Sequence, residues 1–174
     1  NEAETNPFMR GREFLWIEAH DAFASRKEAE QQVASDIKTC EKVLTRELGL
    51  HFLVFQRPQW DTFPGAEYTY ACDVLLPDGK VLQIATTHLL GQKFAKAFGI
   101  KYSLESGGSE FVWQTAFGPG IWRIMAALIA VHGDDRGLVF PFSVAPIQIV
   151  IVPILGGSEK KILAFKFEFP SSTT

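Results

Sequence analysis

The segment from Asn6 to His20 gathers chemistry-bearing side chains densely. Arg10, Arg12, Phe14, Trp16, Glu18 and His20 fall within eleven residues. Read as a strand over residues 11–18, with alternate residues on opposite faces, it turns Phe14, Trp16, Glu18 and His20 to one side. Two aromatics, a carboxylate and an imidazole make poor core and poor solvent surface. They suit the lining of a polar pocket for a small charged molecule. Other residues are open on spacing alone. Arg10 fits a solvated loop, Arg123 interrupts an apolar helix, Phe14 fits a strand core, and Gln83 and Thr86 fit the open face of an ordinary strand. Lone histidines are usually structural, and His51 and His132 are read so.

These residues need elements to hold them. Ser25-Arg26-Lys27-Glu28 is a capping box, and Ala29, Val33, Ile37, Cys40, Leu44 and Leu48 continue at helical spacing until Gly49. The charges Glu28, Glu30, Lys38, Glu41 and Lys42 read as its solvated face. A strand at 51–56 and a Pro- and Trp-bearing loop at 57–65 precede a hairpin, 68–76 with 80–88, around Pro77-Asp78-Gly79. A short helix at 92–98, a strand at 110–117 and a helix from Ile121 to about Val131 follow. Gly118-Pro119-Gly120 reads as a turn before that helix, since no βαβ unit surrounds it. The order predicts an α+β fold, a mainly antiparallel sheet backed by helices. Further strands are expected at 147–154 and 163–169.

Composition narrows the function classes. A 47% hydrophobic content supports a packed core in 174 residues. A net charge of −3 gives no global attraction to nucleic acid. Cys40 and Cys72 are too few for a disulfide framework or zinc site, and no other cluster has metal-ligand spacing, so no bound metal is expected. They read as reduced thiols, Cys40 on the helix's buried stripe. No signal peptide opens the sequence. The uncharged run 137–155 is long enough for a membrane span, but Pro141, Pro146 and Pro153 exclude a helix there, and it is read as soluble core.

Residues 6–20, Phe63-Pro64-Gly65-Ala66-Glu67-Tyr68-Thr69, Leu82 to Gln92 and Arg123 to Pro141 together resemble, in order, motifs of prolyl-tRNA synthetases of the archaeal and eukaryotic type. The resemblance covers roughly residues 1–155 and implies the class II aminoacyl-tRNA synthetase catalytic fold. It implies ATP-dependent activation of L-proline to prolyl-adenylate and transfer to tRNA(Pro), in a cytoplasmic homodimer with no membrane association. Mg2+ would arrive with ATP. It implies a partial catalytic domain over 1–143, then from 144 to 174 the junction and first elements of an α/β anticodon-binding domain. Asn1-Glu2 matches the end of the Arg-x-Glu signature of motif 2, so a longer parent enzyme is expected.

Carried over residue by residue, the resemblance makes Arg10 and Arg123 the catalytic phosphate ligands. Arg10, Phe14, Gln83, Thr86 and Arg123 would bind ATP, with Phe14 stacked on adenine. Trp16 and Phe63 would wall the proline ring, and Glu18, His20, Thr86 and His88 would complete the amino-acid pocket. A carboxylate nucleophile needs no general base, so catalysis would rest on positioning and on neutralising phosphate charge, which planar guanidinium forks do well. Ile121 and Trp122 stand where the family has hydroxyl-bearing residues before the motif 3 arginine. The alternative is a non-catalytic synthetase-like binding protein that keeps the aminoacyl-adenylate pocket. An aminoacyl-tRNA editing module ranks last, because no deacylase-type insertion is visible.

Overall fold

The computed structural model describes residues 3–152. Within them the chain runs β1 (Ala19–Phe23), α1 (Arg26–Cys40), β2 (Leu53–Gln56), β3 (Tyr68–Leu75), β4 (Val81–Gly91), α2 (Lys93–Phe98), β5 (Lys101–Ser103), β6 (Ser109–Phe111), β7 (Trp113–Pro119) and α3 (Ile121–His132). Five strands form one antiparallel sheet in the order β1-β7-β4-β3-β2, and β5 and β6 pair as a separate hairpin. The α+β expectation holds.

Local chemistry explains the long helix. Ser25 Oγ accepts from the Glu28 backbone N–H at 3.3 Å, while the Ser25 N–H donates to Glu28 Oε2 at 2.9 Å. After Cys40 the helix widens into a π-helical stretch, Glu41–Glu47, and ends at Gly49, whose φ of 64° needs no side chain. Helix α1 packs on β4 and β7, and α3 on β4. Ala29, Val33 and Leu89 form one buried cluster beneath the sheet, and Cys40, Leu44, Leu50, Val74, Ile84, Ala127 and Leu128 belong to another. Both cysteines are buried free thiols.

Several expectations need correcting. Residues 11–18 form no strand, the chain bending at Arg12 and Glu13, and the first strand begins at Ala19. The segment is instead tied down at single points, Ile17 N–H to the Pro119 carbonyl (3.1 Å) and Trp122 N–H to the Leu15 carbonyl (3.3 Å). The strand expected at 110–117 is two, β6 and β7, interrupted at Val112, and β7 continues through Pro119. Ile37 is only half-buried, and Asp36 takes the buried place on the stripe. The described part of 137–155 is mostly exposed rather than core, as at Leu138, Phe142 and Ile151, with Phe140 alone of its large apolar side chains packed against the core. Its residues 147–152 form no strand, and among the described residues no strand pairs with them. The strand expected at 163–169 lies outside the described residues. Among the described residues, no helix is long and apolar enough to cross a membrane.

Candidate functional site

The face of the sheet opposite α1 and α3 carries the site, where α2 contributes Phe94 and Phe98 to the lining, and a bulge decides which strand side chains reach it. Strict alternation would put Gln83 and Thr86 on opposite faces of β4. The register with β3 slips between Cys72 and Asp73, pairing Cys72 with Ala85 but Asp73 with Gln83. The extra residue on β4 reverses the parity. Leu82, Ile84, Ala85, Thr87 and Leu89 are therefore buried on the helix side, while Gln83, Thr86 and His88 share the open face.

Three adjoining cavities follow. The largest, about 570 Å³, is lined by Trp16, Glu18, His20, Phe63, Gln83, Thr86 and His88 among others. A smaller one of about 150 Å³ shares Trp16, Gln83 and Thr86 with it and adds Phe14 and Arg123. A third, about 270 Å³, shares Phe14 and Arg123 with the second and adds Arg10. Every residue expected in the site from the sequence thus lines one trough. Its wide end is aromatic and apolar with a few polar groups, and its far end carries two arginines. Gly118 lets the trough form, since a Cβ there would stand 3.0 Å from the Trp16 ring.

At the wide end, the Phe63 ring centroid lies 5.0 Å from that of His88. His20 Nε2 stands 3.1 Å from Glu18 Oε1. The Phe63 backbone N–H donates to Thr69 Oγ1 at 3.1 Å, and Thr69 Oγ1 lies 2.7 Å from His88 Nδ1. With the hydroxyl already accepting from Phe63, its own proton is best spent on Nδ1, leaving the imidazole proton on Nε2. Burial pushes the His88 pKa below its ordinary value, against the nearby Glu18 charge, and so favours that neutral ring.

At the far end, Arg123 Nε donates to the Met9 carbonyl (3.1 Å) and Nη1 to the Gln83 carbonyl (3.2 Å). The guanidinium is thereby fixed between the N-terminal loop and β4. Arg10 sits in a tight loop closed by reciprocal backbone bonds with Asn6, with Phe8 at a φ of 59°. The Trp122 ring packs edge-on against Phe8 at 5.9 Å and so braces this loop. His132, read as structural, lies 3.0 Å from the Leu48 carbonyl, and His51 is exposed away from the trough. Among the described residues no group of three or more His, Cys, Asp or Glu could hold a metal ion.

Sequence reasoning missed Arg57, Asp73, Thr69 and Gln114. Arg57 lines the large cavity and donates through Nη2 to Asp73 Oδ1 (2.8 Å) and Gln83 Oε1 (3.0 Å). Asp73 carried a usable signal: an acid inside the apolar run Ala71-Cys72-Asp73-Val74 requires a buried partner.

A family model described as tRNA synthetase class II core domain (G, H, P, S and T) matches residues 1–132. The chain belongs to that family. The chain is 60% identical over 154 residues to a proline–tRNA ligase of Thermofilum pendens, covering 88% of this chain and 32% of that protein. It is 48% identical over 161 residues to the corresponding ligase of Methanopyrus kandleri, covering 91% and 33%. Among solved structures, prolyl-tRNA synthetase from Cryptosporidium parvum with L-proline and AMP superposes with a TM-score of 0.79. It is 37% identical, covering 84% of this chain and 32% of that one. Prolyl-tRNA synthetase of Giardia lamblia in complex with prolyl-adenylate gives 0.79 and 38%, covering 82% and 28%. The chain spans about a third of the length of the curated relatives it matches.

Proposed function

We propose that this chain forms the adenylate-forming pocket of a proline–tRNA ligase. The observation that carries the reading is the order of the trough: a wide, mainly apolar, polar-tipped pocket leads through Gln83 and Thr86 to paired arginines. The relatives that bind proline, AMP and prolyl-adenylate support it. Proline's ring would lie between Trp16 and Phe63, its ammonium near Glu18, with His20 and the Nε2–H of His88 as further polar contacts. Phe14 would stack on adenine.

The proline carboxylate attacks the α-phosphorus of ATP. An acyl-oxygen–phosphorus bond forms, and the bond to the bridging oxygen breaks, releasing pyrophosphate with the electron pair. Arg123 and Arg10 neutralise charge on the phosphate oxygens, and Mg2+ would enter with ATP as part of that substrate. Proline then passes to tRNA(Pro). The same proposal takes the whole protein to be a cytoplasmic homodimer, with a catalytic unit to residue 143 and an anticodon-binding domain beginning at 144. Proline-dependent exchange of pyrophosphate into ATP by the whole protein tests it. Exchange driven by alanine or cysteine instead would overturn it. Ile121 and Trp122, apolar where the family places hydroxyls, favour one second reading, a non-catalytic protein that keeps the pocket. Adenylate binding without exchange would select that reading.

A further inference from the structure

We propose that Arg57, held by Asp73, is a positioning residue that fixes the Gln83 amide with its NH2 group toward the ligand. The inference deepens the synthetase reading and rests on it for the ligand's identity. Arg57 and Asp73 side chains are 20% and 5% exposed, so the pair is largely withdrawn from water. Asp73 is the register partner of Gln83 across the bulge, which brings acid, guanidinium and amide together. One Arg57 nitrogen, Nη2, donates to both Asp73 Oδ1 (2.8 Å) and Gln83 Oε1 (3.0 Å). The Arg57 backbone N–H is itself fixed to the Thr69 carbonyl at 2.8 Å.

A side-chain amide offers two acceptor sites on oxygen and two N–H donors on nitrogen. With Oε1 engaged by a cation, turning the amide over would set NH2 against a guanidinium. Gln83 therefore meets the ligand as a donor. It lies at the wall shared by the two inner cavities, where the aminoacyl and nucleotide halves of an adenylate would join. Its matching atom is an oxygen acceptor of the kind a ribose hydroxyl or acyl-phosphate oxygen supplies. Asp73 cancels the Arg57 charge, so Arg57 acts through Gln83 rather than on phosphate. A lysine keeps the charge beside Asp73, but its flexible stem does not hold a nitrogen in the planar, fixed position from which Nη2 meets both oxygens.

The test is calorimetric binding of prolyl-sulfamoyl adenosine to the wild-type chain and to Arg57→Lys, each with Gln83 or with Gln83→Ala. Arg57→Lys should weaken binding roughly tenfold when Gln83 is present, the scale of one lost hydrogen bond. It should change affinity by less than about twofold in the Gln83→Ala background. Equal losses in both backgrounds would mean a general structural role and would overturn the clamp, as would no loss in either. Asp73→Asn serves as the second variant should Arg57→Lys fail to fold, with the same expectation. The Gln83 side-chain amide resonances, read by nitrogen-15 NMR without ligand, should move on Arg57→Lys, and an unmoved amide would overturn the clamp. Absence of binding by the folded wild-type chain would count against the synthetase reading instead, and the NMR comparison would then decide the clamp alone.

Discussion

Arg123, Glu18 and His88 each predict a different kind of loss from the trough. Arg123 is pinned by two backbone carbonyls and lines the cavity it shares with Arg10. Arg123→Ala should lower ATP use on the order of a hundredfold or more while proline affinity stays within about threefold. Equal losses for both ligands would contradict its place. Glu18 stands at the polar tip beside His20, and Glu18→Gln should reduce proline-over-alanine discrimination roughly tenfold in competition binding. His88 is half-buried, and desolvation holds its pKa below the ordinary 6.5. Between its depressed folded value and 6.5 the unfolded chain binds more protons, so stability rises with pH through that window. It should fall as the pH drops below 6.5, and His88→Gln should flatten that part of the denaturation profile.

At the scale of elements, what was legible followed from local rules, and what was not depended on pairing. The capping box, the helical stripe and the Pro77-Asp78-Gly79 hairpin announced α1, β3 and β4 through side-chain spacing alone. The bulge in β4 left no such mark, yet it alone puts Gln83 beside Thr86 and His88. Residues 11–18 alternate like a strand, but alternation reports faces and not hydrogen-bond partners, and theirs are single contacts to β7 and α3. Asp36 was legible in principle, three residues after Val33 and four before Cys40 on the buried stripe. It accepts from Thr87 Oγ1 at 2.7 Å and from Gln32 Nε2 at 2.8 Å, tying α1 to β4. Close approach of β7 to the N-terminal segment gives this scale its prediction. Gly118→Ala would place a methyl 3.0 Å from Trp16 and push its ring into the trough. Affinity for a prolyl-adenylate analogue should fall by roughly tenfold or more with little change in melting temperature, since the ring lies at a half-exposed surface. A fall in stability at unchanged affinity would contradict the role given to Gly118.

For the molecule as a whole, the site was legible because one short segment carries much of it and because the motif order resembled a known family. Arg57 and Asp73 were not, since their meeting depends on two elements packing across the sheet. The sheet's two faces divide the work. Helices α1 and α3 bury one face, and the other, partly covered by α2 through Phe94 and Phe98, keeps polar side chains open to a cavity. A trough of this length should recognise both halves of an adenylate at once and gain little from either alone. The most direct measurement is calorimetric titration of the folded chain with a non-hydrolysable prolyl-adenylate analogue beside its alanyl and cysteinyl counterparts. Preferential binding of the prolyl compound is the expected result. Equal binding of all three, or none, would contradict a proline-selecting adenylate pocket.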